Sequence, residues 1–244
     1  MAEEIATTLP SNRLLSTLPA QESDSLAPHF KTVSLQLGEI LFQPGDKIDH
    51  VYFPTNSIVS LLTDLEDGTG LEVGLVGCEG MVGVSAFLGG TETKVAPVQA
   101  SGEALALKVA RLQEVFRSGG TLQTQLLRYT HALMTQISQS VVCNVRHPVE
   151  GRMARWLLMY HDRLNVDEFE MTQEFMSHML GVRRSSVTEV ALKLQELQLI
   201  QYHRGSITIL NREGLEKFTC ECYTVGKRKF DDFLQQDWAM SRTA

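Results

Sequence analysis

The chain has 244 residues, of which 43% are hydrophobic, 21% charged and 7% aromatic. This composition is typical of a globular protein, and it excludes a disordered chain, a collagen-like repeat and a small disulfide-rich scaffold. The net charge of -7 at pH 7 argues at first against a nucleic-acid-binding protein, because phosphate binding depends on clustered Lys and Arg.

The sequence predicts a soluble protein of the cytoplasm, with two domains and no membrane partner. No apolar run approaches the roughly 18 residues needed to span a bilayer, and the first eight residues are acidic rather than basic. The cysteines are few and irregularly spaced, which disfavours a disulfide framework and favours a reducing compartment. They are Cys78, Cys143, Cys220 and Cys222.

Charge is distributed unevenly along the chain. Residues 1–146 hold 9 Lys and Arg against 15 Asp and Glu, whereas residues 147–244 hold 13 against 14. Within residues 181–212, five basic residues stand against two acidic ones. A basic region on an otherwise acidic protein indicates a surface for an anionic partner.

The segment 31–108 predicts many short strands separated by turns, preceded by a short helix at 12–18. Pro44 presets φ for one turn, while Gly45 and Gly68 supply the positive φ that turns require. Strands at this spacing predict an all-β sandwich or barrel. The candidate strands are residues 33–37, 39–42, 50–53, 57–62, 71–76, 95–100 and 104–109.

After Gly119 and Gly120 the hydrophobic period changes from that of strands to that of a helix. Apolar residues recur at spacings of three and four, which predicts one amphipathic helix of about 25 residues. Such a stripe either packs on its own domain or pairs two copies of the chain. We predict a homodimer, because each buried Leu or Ile contributes about 1.5 to 3 kcal/mol and the stripe occurs twice. The stripe is Leu122, Leu126, Tyr129, Leu133, Ile137 and Val141.

The remaining segment predicts a winged helix-turn-helix, in which two helices joined by a tight turn precede a β-hairpin. Pro148 suits the first turn of a helix, Thr172 is a good N-cap, and Gly181 suits a helix end. The predicted elements are a helix from 147 to about 161, a polar loop at 165–170, a helix at 173–179, a helix at 184–197 and a hairpin at 199–210.

The helix from Arg184 has the chemistry of a DNA-reading helix. A major groove about 12 Å wide admits such a helix, whose N-terminal side chains then reach bases and phosphates. Arg184 is the candidate for bidentate contact with guanine, and Thr172 and Ser186 are candidates for phosphate contacts. The alternative is an exposed helix end whose arginines are only solvated. The candidate DNA-binding residues are Thr172, Arg183, Arg184, Ser185, Ser186, Thr188, Glu189 and Arg204.

Four segments carry a resemblance to a known family: GRMARWLL at 151–158, MTQE at 171–174, LGVRRSSV at 180–187 and LIQYHRG at 199–205. Through them the chain resembles the CRP/FNR family of bacterial transcription regulators, over nearly its whole length. The resemblance implies an α+β fold with a β-roll, or jelly-roll-like, sensor domain at 1–118 and a dimerisation helix at 119–146. It further implies a winged helix-turn-helix DNA-binding domain at 147–219 and a C-terminal helical tail at 220–244.

The sensor segment departs from the cyclic-nucleotide pattern of that family. Nucleotide-binding members use a Gly-Glu pair and, about ten residues later, an Arg-Ser or Arg-Thr pair. Here Gly83 matches, but Val84, Lys94 and Val95 stand at the other three positions. Each lost charge-assisted hydrogen bond costs about 1.5 to 3 kcal/mol, so we expect cyclic AMP to be a poor effector. Either the pocket has lost its ligand, or it takes another, such as cyclic di-GMP with Lys94 as a contact.

The DNA-reading segment also departs from the cyclic-AMP-type members, which carry an Arg-Glu pair and a later Arg on this helix. Arg184 matches the first Arg, whereas Ser185 replaces the Glu and Glu189 replaces the second Arg. We therefore expect a half-site that keeps a guanine opposite Arg184 and differs elsewhere.

Neither a cofactor nor a metal is expected from the sequence. An iron–sulfur sensor of this family needs four thiolates, usually near the N-terminus, and no cysteine precedes Cys78. Cys220 and Cys222 could be two metal ligands or a redox pair, but no second pair or His cluster stands near them in the sequence. We interpret them as thiols on a C-terminal helix. The basic run at 227–229 is either solvated or part of an amphipathic helix.

The chain contains no P-loop, G-x-G-x-x-G, H-E-x-x-H or G-x-S-x-G motif, so the sequence disfavours an enzyme. We predict a homodimeric transcription regulator that binds double-stranded DNA at an inverted repeat, with RNA polymerase and a small-molecule effector as further candidate partners. The alternatives are a regulator set by abundance or redox state, and a signalling adaptor that binds protein through the β-roll.

Overall fold

The computed structural model describes residues 11–64 and 70–235. The turn predicted around Gly68 and the last residues of the tail lie outside this range. None of the helices within it combines the length and hydropathy needed to cross a bilayer.

The first half of the chain forms a β-roll from two three-stranded antiparallel sheets. Alternate side chains of the strands point between the sheets, and Phe30 and Phe53 pack edge to face there with ring centroids 5.6 Å apart. One sheet has the order β1-β6-β2, with β1 at Phe30–Leu35, β2 at His50–Pro54 and β6 at Gly102–Lys108. The other has the order β4-β3-β5, with β3 at Ile58–Asp64, β4 at Gly70–Val76 and β5 at Val98–Ala100.

One predicted strand is absent and another is shorter than expected. Residues 39–42 form no strand and contribute only a bridge between Ile40 and Pro97, and residues 95–100 shorten to β5. Backbone hydrogen bonds still join these segments, but Pro97 has no N–H and interrupts the ladder between them.

Helices connect and cover the sheets. The predicted N-terminal helix is only a 3-10 turn at Leu15–Thr17, and an α-helix follows after Pro19. A helix at Val109–Ser118 takes the place of the strand end expected at Val109, because Leu112 packs its face into the core. The helices of the first half are α1 at Ala20–Leu26, α2 at Ser85–Leu88, α3 at Val109–Ser118 and α4 at Thr121–Arg146.

The second half is the predicted winged helix-turn-helix, but it contains a strand and a helix, at Arg212–Phe218, that were not predicted. Residues 168–170, expected as polar loop, form a strand that pairs with the hairpin, and Phe169 is buried in its core. The elements are α5 at Val149–Leu164, β7 at Glu168–Glu170, α6 at Gln173–Leu180, α7 at Arg184–Glu196, β8 at Ile200–His203, β9 at Ser206–Ile209, α8 at Arg212–Phe218 and α9 at Glu221–Leu234.

The apolar stripe of α4 is not the free surface that the prediction required. Leu122, Leu126 and Leu133 are buried in the core of their own chain, and Ile137 packs against the same core. The prediction that these residues pair two chains is therefore wrong. Of the predicted pairing residues only Val141 is exposed.

The reason is that α4 packs against the β-roll, while α9 folds back along it. Phe230 and Phe233 pack on Tyr129, and the Tyr129 hydroxyl donates a 2.9 Å hydrogen bond to the carbonyl of Met81. The helix therefore lies between the β-roll and the C-terminal helix. The basic run of α9 forms ion pairs within its own helix, as between Lys227 and Asp231 at 2.7 Å.

Candidate nucleic-acid interface and sensor pocket

The two helices of the helix-turn-helix begin at the predicted residues, and each ends within one residue of its predicted end. The hydroxyl oxygen of Thr172 accepts a 3.1 Å hydrogen bond from the backbone N–H of Phe175 and so caps α6. Gly181 ends α6 with φ of 61°, and a Cβ there would stand 2.8 Å from a methyl group of Leu71. The left-handed backbone therefore favours glycine here, and a side chain would also have to displace the Leu71 methyl group.

Helix α7 turns its apolar face inward and its basic start outward. Val187, Val190, Ala191 and Leu194 are buried, which fixes the orientation of the helix. Within the described residues, no carboxylate lies within ion-pairing distance of Arg183 or Arg184. Of the remaining candidates on this helix, Ser185 and Glu189 are exposed, and Ser186 and Thr188 are half-buried.

The sequence analysis missed one residue of this surface, Gln173. The Thr188 hydroxyl donates a 2.8 Å hydrogen bond to the side-chain carbonyl of Gln173, which joins α7 to the first turn of α6. Thr188 is thus engaged within the protein. The sequence could have indicated Gln173, because it directly follows the N-cap residue Thr172 and so lies in the first turn of α6.

The wing and the start of α6 lie side by side. Arg204 and Gly205 have φ of 47° and 86°, the positive values that a tight two-residue hairpin turn requires. The backbone N–H of Met171 donates to the carbonyl of Gly205, so the tip that carries exposed Arg204 is next to Thr172. The fold thus gathers the candidates from α6, α7 and the wing on one end of the winged unit.

In this conformation the start of α7 faces the sensor sheet of its own chain. A groove runs between β3–β4 and the helix-turn-helix. It is lined by Thr63, Gly70, Leu71 and Val73 on one side and by Glu174, Ser177, His178, Val182, Arg183 and Ser186 on the other.

Buried polar contacts fasten the winged unit to the β-roll. Glu72 of β4 accepts hydrogen bonds of 2.7 Å from Ser60, Gln99 and Trp156. Burial is the largest influence on this carboxyl, and it raises the pKa of Glu72 to about 7. Nearby, Arg163 of α5 pairs with Glu79 at 2.8 Å, and both side chains are almost fully buried.

The predicted ligand residues lie mostly in one small pocket between the β-roll and α4. Its volume is about 190 Å³, and Gly83, Val84 and Lys94 are in its wall. Val95 instead pairs through its backbone with Leu62 and packs on the neighbouring core, which corrects its expected place in the pocket. The other lining residues are Leu61, Met81, Val82, Leu88, Glu92, Thr130, Leu133, Met134 and Ile137.

A buried carboxylate dominates the polar side of this pocket. Glu92 accepts hydrogen bonds from the backbone N–H groups of Thr93 and Lys94, at 2.8 and 3.2 Å, and from the hydroxyl of Ser85 at 3.0 Å. These are donors of the kind that bind a phosphate oxygen, and here an internal anion takes them.

The structure also corrects the expectation about the C-terminal cysteines. Cys143 and His147 lie beside Cys220 and Cys222, and the ligand-forming atoms of all four are within 4.8 Å of one another. The sequence does not indicate this cluster, because Cys143 and Cys220 are 77 residues apart and meet only where α9 folds back on α4.

Two family models match the chain. Residues 32–118 match the cyclic nucleotide-binding domain, and residues 151–218 match the Crp-like helix-turn-helix domain. The global nitrogen regulator of Nostoc sp. (strain PCC 7120) is 21% identical to this chain over 191 residues, which cover 72% of this chain and 83% of that protein.

Solved structures share the fold. FixK2 from Bradyrhizobium japonicum is similar with a TM-score of 0.68 and 16% identity, over 78% of this chain and 98% of that one. The c-di-GMP responsive global regulator CLP of Xanthomonas campestris is similar with a TM-score of 0.59 and 17% identity, over 78% and 99% of the two chains. The predicted combination of β-roll, long helix and winged helix-turn-helix is thereby confirmed.

Proposed function

Because the chain belongs to the CRP/FNR family of transcription regulators, we propose that it reads an inverted-repeat operator as a homodimer, under control of a signal received by the β-roll. The observation that carries this proposal is the start of α7, where Arg183 and Arg184 are exposed and have no carboxylate of the described residues within ion-pairing distance. Unpaired guanidinium groups at the start of a helix suit the phosphates and base edges of a major groove. The adaptor alternative is not favoured.

The geometry supports a division of roles among the candidate residues. Arg184 is proposed to read a guanine, because it is exposed in the first turn of α7. Thr172 is proposed to bind phosphate, because its oxygen accepts the capping hydrogen bond while its hydroxyl proton can still donate. Ser186 and Arg204 are proposed as further contacts to the phosphates of the DNA backbone. Thr188 is proposed to position α7 through Gln173 rather than to contact DNA directly.

A face of α4 that shares only Val141 with the predicted stripe is proposed to pair the two copies. Leu127, Met134, Val141 and Val145 are between 49% and 76% exposed. Their spacings of seven, seven and four place them along one side of the helix, which is the pattern of a two-helix contact. A two-fold axis along this face would present two α7 helices to one DNA duplex.

The β-roll pocket is proposed not to take the phosphate of cyclic AMP. Glu92 occupies the donors of Ser85, Thr93 and Lys94, so an entering phosphate would meet a carboxylate. Cyclic di-GMP, the effector in the name of the Xanthomonas campestris relative, would meet the same carboxylate in this pocket. A regulator that needs no small ligand remains the alternative within the class.

The domain boundaries and further partners are proposals as well. We keep 1–118, 119–146, 147–219 and 220–244 as the units, since α3 ends at Ser118 and α4 begins at Thr121. RNA polymerase is proposed as a protein partner, because a regulator bound near a promoter lies within its reach.

Selection from a randomised DNA duplex pool tests the proposed function. The full chain should enrich an inverted repeat whose half-sites lie about one helical turn, 34 to 36 Å, apart. Lys193 of α7 pairs with Glu150 at 2.6 Å and serves as the control, because Lys193→Ala should leave the selected sequence unchanged. Failure to enrich any sequence, or enrichment of a single half-site, would contradict the proposal.

A further inference from the structure

Two separate segments of the chain bring four ligand-type side chains together. Cys143 lies in the last turn of α4, His147 follows that helix directly, and Cys220 and Cys222 flank the first residue of α9. Cys143 and Cys222 are buried, and the other two are half-buried. The cluster lies where the long helix meets the winged unit and the C-terminal helix.

The distances fit a single tetrahedral ion. The Sγ atoms of Cys143 and Cys220 are 3.4 Å apart, and Sγ of Cys222 is 3.6 Å from Nδ1 of His147. Zinc bonds of about 2.3 Å to sulfur and about 2.0 Å to nitrogen place tetrahedral ligand atoms about 3.5 to 3.8 Å apart. The widest separation in the cluster, within 4.8 Å, needs to close by only about 1 Å.

The second ring nitrogen of His147 has a carboxylate partner. Nε2 of His147 lies 3.3 Å from a carboxylate oxygen of Glu221, while Nδ1 faces Cys222. A carboxylate at this position keeps the proton on Nε2 and leaves the lone pair of Nδ1 for a metal. This carboxylate–histidine arrangement is the usual outer shell of a histidine ligand.

Nearby charges also suit a thiolate-bound cation. Three thiolates, one neutral imidazole and a divalent ion carry a net charge of about -1. Arg152 and Arg155 both act electrostatically on the cysteines of the cluster and can balance this charge.

We propose that Cys143, His147, Cys220 and Cys222 bind one structural Zn²⁺ ion. Three sulfur ligands and one imidazole form a closed tetrahedral set, which is typical of structural zinc. An iron–sulfur cluster is disfavoured, because it spreads its protein ligands over several metal atoms whereas these ligand atoms meet around one point.

The ion fixes the joint between the units. His147 and Pro148 are the two residues between α4 and α5, and Cys143 and Cys220 are 77 residues apart in sequence. Zinc at one end of α9 and the packing of Phe230 and Phe233 at the other hold that helix along α4. Metal loss should therefore loosen the C-terminal helix and the joint at His147 together.

Metal content of the full chain is the direct test. Protein purified under reducing conditions and loaded with zinc should retain one ion per chain after dialysis, measured by elemental mass spectrometry. Cys143→Ser and Cys220→Ser should each lose the ion. Cys78→Ser is the matched control, because Cys78 is half-buried elsewhere and bonds the carbonyl of Arg163, so this variant should keep full occupancy.

Cobalt provides a readout that does not depend on variants folding. Co²⁺ added to the reduced wild-type chain should give the thiolate charge-transfer and tetrahedral d–d bands of a three-sulfur site, and zinc should abolish them. Absence of these bands, retention of zinc in both serine variants, or a Cys143–Cys220 disulfide whose reduction restores no zinc binding would each overturn the proposal.

The carboxylate of Glu221, which pairs with His147, provides a test in which zinc affinity is weakened rather than lost. Glu221→Gln should weaken zinc affinity by about 10- to 100-fold while one ion still binds at saturation. Competition with a chromophoric chelator measures this change. Glu213→Gln, on α8, should leave the affinity unchanged. If Glu221→Gln and the wild type bind zinc with equal affinity, Glu221 does not support the His147 ligand.

Discussion

The indole N–H of Trp156 donates a 2.7 Å hydrogen bond to the carboxyl group of Glu72, 84 residues away in the sequence. Trp156 belongs to α5 and Glu72 to β4, so this bond joins the DNA-binding unit to the sensor sheet. Ser60 and Gln99 complete the surroundings of the same carboxyl group. A buried acid with three hydrogen-bond donors therefore lies at the contact between the two functional parts of the chain.

This acid should make stability depend on pH. Burial raises the pKa of Glu72 from 4.5 to about 7, so between these values the folded state binds a proton that the unfolded state has lost. The stabilisation is complete below pH 4.5 and is lost as pH rises through 7. The contribution is on the order of 3 kcal/mol between pH 5 and pH 8. Urea unfolding across this range measures it.

Glu72→Gln removes the titration and should flatten this part of the profile. Glu103→Gln is the control, because Glu103 is an exposed side chain of the β-roll. A wild-type profile no steeper than that of Glu72→Gln would show that Glu72 does not couple protonation to folding.

The buried ion pair between Arg163 and Glu79 predicts a large stability loss when it is broken. Glu79→Ala leaves a guanidinium in the interior that retains only carbonyl partners, which should cost about 3 to 5 kcal/mol. The exposed pair of Arg111 and Glu114 has nearly the same length, 2.7 Å, so Glu114→Ala should cost at most about 1 kcal/mol. The denaturant midpoints of both variants measure these stability losses. Equal losses of stability in Glu79→Ala and Glu114→Ala would contradict the prediction.

Arg184 and Thr172 should differ in how their loss affects DNA binding. Arg184→Ala should cost about 1 to 3 kcal/mol and relax preference at one base pair of each half-site. Thr172→Ala should weaken all sequences alike, and Thr172→Ser should restore both the cap and the phosphate contact. Selection from a random pool, followed by gel shifts, separates the two effects. Uniform weakening by Arg184→Ala would make that residue a phosphate contact.

Substitutions on the exposed face of α4 should dissociate the dimer, whereas substitutions on its buried face should only lower stability. Met134→Glu together with Val141→Glu should yield a monomer of 27.2 kDa in light scattering, because two charges would enter the proposed pairing face. Leu210→Glu, an exposed apolar position on the winged unit, should leave the mass unchanged. Leu122→Ala should cost about 2 to 5 kcal/mol of stability without dissociating the chains, since Leu122 is buried within one chain.

The sequence was sufficient where structure depends on neighbouring residues. The cap at Thr172, the helix end at Gly181 and the hairpin turn at Arg204 and Gly205 all follow from backbone preferences within a few positions. The helical period of α4 is equally local. These signals determined the winged helix-turn-helix and the start of the DNA-reading helix, which is the part of the candidate site that the sequence predicted best.

Tertiary structure decided what depends on distant partners. Periodicity showed that α4 has an apolar stripe, but only the packing of α4 against the β-roll and α9 determined that this stripe faces the chain's own core. Strand β7 forms because β9 supplies its hydrogen bonds from some 40 residues away. Cys143 and Cys220 meet for the same reason. Such contacts depend on how whole elements pack, and no local preference of the chain encodes which distant element will cover a given face.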